Sequence, residues 1–273
     1  IFPVWHYDKI GIKKDDIKLS DITLSGRNGA TLSDRDLLAI YGAGYEFILT
    51  NVHFDGVKRR AIYAKDLWDS SITSCRFTWC GLSNVNHHAI LLDTADSFGI
   101  NSNAIKITNC HFEANSTGDI WLRNGANQIN IVGNKFEGSS NDINYNCLPV
   151  IQIDDNCANI NMNSNSFIMF QRDKTVPFIY DGASGTNIIG NSFISSTDQV
   201  GNYAIQTKTM SNLLATNIIG NTFFLDGGNG VYPLNIDSDS WKLFPDIAII
   251  LVSFLYFSKS SWKKRKNDGC GTQ

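Results

Sequence analysis

The chain of 273 residues contains only five prolines, and charged residues make up just 18% of it. So little charge argues against a fibrous coiled coil. A hydrophobic fraction of 42% and an aromatic fraction of 11% argue against disorder. The formal net charge is −3, so no basic excess is present to hold a phosphate backbone, and nucleic acid is not an expected partner. No apolar run reaches the ~20 residues that a bilayer-spanning helix needs. The run 247–257 falls short; with Trp262-Lys263-Lys264-Arg265-Lys266 after it, a membrane-surface segment is the alternative to an atypical cap or tail, which is preferred, and a membrane partner is not expected. Six cysteines form no CxxC pair and no Cys/His metal spacing, which leaves buried or half-buried free thiols as their expected state. No stretch carries apolar residues at helical spacing.

What the chain has in excess is asparagine: 29 residues, 24 of them between Asn101 and Asn235. Asparagine is poor in helix interiors and good in turns and left-handed backbone positions. With abundant isoleucine and glycine, it points to many short strands joined by tight corners. The first residue is Ile1 rather than Met, as expected of a processed or excised segment.

A phrase of the form Ile-x-Ile-x-x-Asn-x-Phe recurs. Its anchors are Phe54, Phe77, Phe112, Phe136, Phe167, Phe193 and Phe223, each preceded by an apolar residue at −5 and by Asn, Ser or Gly at −3. The last four anchors also have Asn134, Asn165, Asn191 or Asn221 at −2. A second strand follows each anchor, centred on Ile62, Ile90, Ile120, Ile151, Ile179, Ile205 and Leu234, at spacings of 26 to 31 residues. The alternation around these centres has period two, which means strand. Repeats that stay in phase stack each strand on its copy in the next coil, parallel and about 4.8 Å away. The predicted fold is all-β, a right-handed parallel β-helix of about seven to eight coils with three short parallel sheets. It spans 17–237, after a lead-in over 1–16 and before an atypical C-terminal cap or tail over 238–273.

Ile105-Lys-Ile-Thr-Asn-Cys-His-Phe112, Ile129-Asn-Ile-Val-Gly-Asn-Lys-Phe136 and Asn187-Ile-Ile-Gly-Asn-Ser-Phe193 resemble the repeats of the pectate-lyase-like β-helix superfamily. Within it they are most similar to phage tailspike and polysaccharide depolymerase domains. The resemblance implies carbohydrate lying along one sheet, a homotrimer, and an extracellular or virion-associated location. It also implies that an active site can lie between subunits. No catalytic motif of a named family is intact, so no catalytic residue follows from the resemblance.

A β-helix projects each outward position as a column along its axis. One residue past the second-strand centres the column reads Tyr63, Leu91, Trp121, Gln152, Tyr180, Gln206, Asn235. Aromatic faces suit the C–H side of a sugar and amides suit its hydroxyls, which makes Tyr63, Trp121, Gln152 and Tyr180 candidate substrate contacts. Three past the centres it reads Lys65, Asp93, Arg123, Asp154, Gly182, Lys208, Asp237. Asp93 and Asp154 flank Arg123 two rungs apart, about 9.5 Å, the upper edge of the range for an inverting carboxylate pair. Asp119 replaces aliphatic residues in its own column and is a separate candidate acid or base. Arg59, Arg60, His87 and His88 precede this strand on adjacent coils and are candidates to hold the carboxylate of an acidic sugar. Asp154 and Asp155 offer paired carboxylates for Ca²⁺, as Asp clusters do in pectate lyases, where an Arg serves as base. Here the carboxylates beside Arg123 favour its charged form and argue against that role. The Phe strand presents a rival face, with Glu113 and Glu137 on adjacent coils beside a basic column that suggests mutual salt bridges.

The expected function is a tailspike-like depolymerase that binds and hydrolyses bacterial surface polysaccharide. A polysaccharide lyase, a non-catalytic adhesin and a rigid structural spike are the alternatives.

Overall fold

The computed structural model describes residues 2–5, 17–29, 31–41, 44–81, 87–94, 101–115, 117–139, 148–170, 176–195, 202–208, 216–225 and 231–236. Cys147, Cys270, Asp237 and the segment 238–273 lie outside them. Among the described residues every element is a strand. No helix there is long and apolar enough to cross a membrane.

The strands form three long parallel sheets of eight, eight and nine members. Sheet 1 collects the strands before each corner, such as Lys106–Thr108 and Asn130–Val132. Sheet 2 collects the Phe strands, such as His111–Glu113 and Lys135–Ser139. Sheet 3 collects the second strands, such as Ile62–Lys65, His88–Asp93, Gly118–Leu122, Ile151–Ile153 and Ile179–Asp181. The chain visits the sheets in the order 1, 2, 3 and returns one rung further along. It is a parallel β-helix. Phe2–Trp5, within the expected lead-in, pairs in parallel with Leu38–Tyr41 and ends sheet 3. A short antiparallel pair, Arg27–Asn28 with Thr31–Leu32, sits beside the first coils.

The corner chemistry follows the sequence. Asn51, Ser74, Asn109, Gly133, Ser164, Gly190 and Gly220 all have φ between 53° and 68°, and Asp21 extends the column by one coil at 55°. Left-handed backbone is what Asn and Gly tolerate best. It turns the chain sharply between sheets 1 and 2. Inside that corner, Asn134, Asn165, Asn191 and Asn221 are buried and form a ladder. The side-chain amides of Asn134, Asn165 and Asn191 donate both to a carbonyl on the preceding coil and to the Oδ1 of the next asparagine, at 2.8–3.1 Å. The backbone N–H of each of these three also meets the next Oδ1, at 2.9 Å. The two-residue corner thus buries its polar groups without leaving them unpaired.

The core is a continuous column of isoleucine, leucine and phenylalanine. The anchor phenylalanines stack face to face from Phe54 to Phe223, with centroids 4.6–5.0 Å apart. This ladder measures the rung directly and keeps the coils in step. Cys75, Cys80, Cys110 and Cys157 are free and buried, as expected. Burial pushes the Cys157 thiol up to about 12.

Candidate functional site

The register of sheet 3 aligns the expected outward column. Tyr63 pairs with Leu91, Leu91 with Trp121, Trp121 with Gln152, Gln152 with Tyr180, and Tyr180 with Gln206. Tyr63, Trp121, Gln152, Tyr180 and Gln206 are half-buried, whereas Leu91 is covered, with 1% of its surface exposed. The aromatic side chains therefore stand on every second coil.

Trp121 is held from three sides. Its indole Nε1 donates to Asp154 Oδ1 at 2.9 Å, on the following coil. Arg123 lies over its ring at 5.3 Å from the centroid. His88, from the preceding coil, packs against it at 5.5 Å between centroids, tilted by 46°. His88 is itself fully buried, and its Nε2 donates to the Pro149 carbonyl at 2.9 Å. That reach crosses Gly118. A Cβ there would sit 2.5 Å from the His88 ring and 2.6 Å from the Pro149 oxygen. Glycine at this strand position thus permits a close approach that any side chain would block. His88 positions Trp121 from below.

Tyr63 has a matching brace. Arg60 lies over its ring at 4.9 Å and Lys65 at 5.9 Å. The phenol is 3.5 Å from Asp93 Oδ2 on the following coil. Burial raises the Tyr63 phenol above its ordinary value, with Lys65 opposing. The third aromatic, Tyr180, is also raised by burial, with Lys208 opposing and Asp155 reinforcing. Lys208 forms an ion pair with Asp155 across the coils.

The two aspartates expected to work together each take partners of their own. Asp93 is buried, and its Oδ1 accepts the Thr94 amide at 2.9 Å and Asn124 Nδ2 at 2.6 Å. Asp154 is half-buried and accepts from Trp121 and, at 3.3 Å, from Gln152. Each carboxylate braces the aromatic residue of the coil before it. Asp119 is buried away from both and accepts Asn115 Nδ2 at 2.8 Å. Asn115 also satisfies the Cys80 amide and the Phe77 carbonyl at the corner between sheets 2 and 3.

The basic group lies at the Tyr63 end. Arg59 is exposed, and Arg60 pairs with Asp36 at 3.6 Å. His87 is buried and held below its ordinary pKa by burial first and Arg60 second, so it is neutral at pH 7. Arg60 Nε and His87 Nδ1 are buried with no hydrogen-bond partner.

The rival face on sheet 2 is saturated. Asp55 pairs with Arg27 at 2.9 Å, Glu113 with Arg76 at 2.5 Å, and Glu137 with His111 at 2.7 Å and Lys135 at 2.6 Å. Among the described residues, His111, Glu113 and Glu137 are the one group of three whose ligand atoms lie within 4.8 Å of one another. Arg76 and Lys135 already occupy their carboxylates.

One buried group escaped the sequence reading. Asp181 follows Ala64, Leu92, Leu122 and Ile153 in an inward column that continues with Thr207 and Ile236. Burial pushes its carboxyl up to about 6, against hydrogen bonds from Thr186 and the Ala183 amide. A carboxylate at the end of a run of four aliphatic residues was the available signal.

No family model matches the chain, and no curated protein matches it. Among solved structures, the crystal structure of PfbA, a surface adhesin of Streptococcus pneumoniae, is similar with a TM-score of 0.56 at 12% identity. The likeness covers 81% of this chain and 61% of that one, so the chain spans less than two thirds of its length. At this identity the likeness shows the fold alone. The full-length structure of QnrB1, a plasmid-mediated fluoroquinolone resistance protein, aligns over 83% of this chain and 96% of that one at 13% identity. Its TM-score of 0.19 is too low to bear on the fold.

Proposed function

We propose that the outer face of sheet 3 binds polysaccharide, and that the chain is a carbohydrate-binding β-helix domain working at a bacterial or virion surface. The line of half-buried Tyr63, Trp121 and Tyr180, with Gln152 and Gln206 between and beyond them, carries this reading. Aromatic faces take the apolar side of a sugar ring, and the neighbouring amides take hydroxyls. Arg59, exposed, adds a positive charge at the Tyr63 end of the line.

Binding to a panel of purified capsular and O-antigen polysaccharides tests the proposal. At least one should bind the wild-type domain, and Trp121→Ala should weaken that binding at least tenfold. A panel with no binder, or binding indifferent to Trp121, overturns it.

Hydrolysis is the second reading, and Asp154 favours it: a half-buried carboxylate fixed beside the Trp121 ring. Its expected partner Asp93 is committed to Thr94 and Asn124, which is why binding comes first. Size-exclusion analysis of the bound polysaccharide separates the two. Chain shortening that is lost in Asp154→Asn with binding kept would establish a hydrolase. Shortening with new ultraviolet absorbance would indicate a lyase.

A further inference from the structure

The outer face of sheet 3 repeats over two coils, although the backbone repeats over one. In one unit Tyr63 has Lys65 two residues on, and Asp93 on the next coil near its polar tip. In the next unit Trp121 has Arg123 two residues on, and Asp154 on the next coil at its indole nitrogen. Aromatic, cation and carboxylate occupy the same three places relative to the strand. Lys65 is in register with Asp93 across one rung. The coils between supply Leu91, which is buried, and Gln152, which is not aromatic. Tyr180 then stands two rungs beyond Trp121.

The brace on each aromatic ring matters for recognition. A ring fixed by a cation from its own coil and an acceptor from the next is set before ligand arrives, which lowers the cost of binding. Tyr63 and Trp121 are braced in this way; together with Tyr180 they make three aromatic platforms two rungs, about 9.6 Å, apart. Two pyranose rings of an extended β-linked chain cover nearly that length. In a ribbon with twofold symmetry, alternate rings turn the same face to the protein.

Resting on the proposed polysaccharide reading, we infer that the ligand is an extended, β-linked chain of twofold ribbon shape lying along the helix axis. Its two-sugar repeat is in phase with Tyr63, Trp121 and Tyr180. Every second ring stacks on a platform, and the rings between span the intervening coils. A threefold polymer such as polygalacturonate turns its rings by a third of a revolution and loses this phase.

The test uses the full chain and oligosaccharides of two to eight sugars. The probes are β-1,4-linked glucose, β-1,4-linked N-acetylglucosamine, alternating glucuronate and N-acetylglucosamine, and oligogalacturonate. Calorimetry or fluorescence titration should show affinity rising in steps of two sugars, about tenfold per step up to six. The odd sugar should add less than twofold. Tyr63→Ala or Tyr180→Ala should remove one step, and Trp121→Ala should reduce a hexamer to the affinity of a disaccharide. Trp121→Phe, which keeps a ring on the strand, should retain most of the stepping and guards against a folding defect. Equal gains for every added sugar, or oligogalacturonate binding as tightly as the twofold chains, would overturn the two-ring inference while leaving polysaccharide binding intact. No carbohydrate bound at any length would remove both.

Discussion

The outward faces of sheets 2 and 3 are built on the same coils, yet they spend their polar groups differently. On sheet 2 each acid meets a base: Asp55 meets Arg27, Glu113 meets Arg76, and Glu137 meets His111 and Lys135. On sheet 3, around Tyr63 and Trp121, Arg60 and Arg123 lie over aromatic rings and Asp93 and Asp154 accept from the edges of those rings, although Lys208 pairs with Asp155 further along. Charge on sheet 2 is neutralised within the face, whereas on sheet 3 it is used to aim side chains. A solenoid offers many columns of polar residues. The column worth testing is the one whose partners orient a large side chain rather than cancel a charge.

Removing what both faces share should have the largest effect. Phe136→Ala opens a gap in the middle of the aromatic ladder and should cost about 3–5 kcal/mol in urea unfolding, disabling both faces together. Acidity should separate the faces by sign. Asp181, under sheet 3, is raised to about 6 by burial, so its ionised form opposes folding above that pH. Stability should fall by about 3 kcal/mol as pH rises through the window from about 4 to 6, and Asp181→Asn should abolish that slope. On sheet 2, burial pushes the Glu137 carboxyl up, but hydrogen bonds and charge from Lys135 and His111 outweigh it and hold it below the ordinary range. Its contribution is present above the ordinary carboxylate value and is lost as pH falls through the lowered one. Melting temperature across pH, with Glu137→Gln and Asp181→Asn compared, distinguishes the two slopes.

Gly118→Ala should act on sheet 3 alone. The new methyl displaces His88 from beneath Trp121, at about 1–3 kcal/mol of stability, and should weaken carbohydrate binding as Trp121→Ala does. Arg76→Ala should have the smallest effect, under about 1 kcal/mol and with binding unchanged, because the pair it breaks is exposed. A large loss of binding in Arg76→Ala would erase the contrast between the faces.

Much of this architecture is legible in the sequence because it repeats. The left-handed corners, the Phe ladder and the register of Tyr63, Leu91, Trp121, Gln152 and Tyr180 follow from spacing alone. What spacing does not carry is where a side chain goes once it leaves the strand. Asp93 and Asp154 share a column, but each turns to a different aromatic residue instead of toward the other. His88 reaches a carbonyl 61 residues away, over a glycine on the coil between. Glycine at Gly118, where neighbouring coils carry His88 and Pro149, was a visible hint of that crossing, but its meaning depends on three coils at once.

From Asn134 to Asn221 the asparagine and phenylalanine ladders make each coil end like the start of the next, so those coils are interchangeable units. A gene duplication that added one coil would leave the core and the corners satisfied. It would nonetheless move every aromatic platform beyond it to the wrong rung. Adding two coils would restore the phase and extend the face by one platform. Selection acting on the ligand would therefore tolerate growth of this domain in pairs of coils, while folding alone would tolerate growth in single ones.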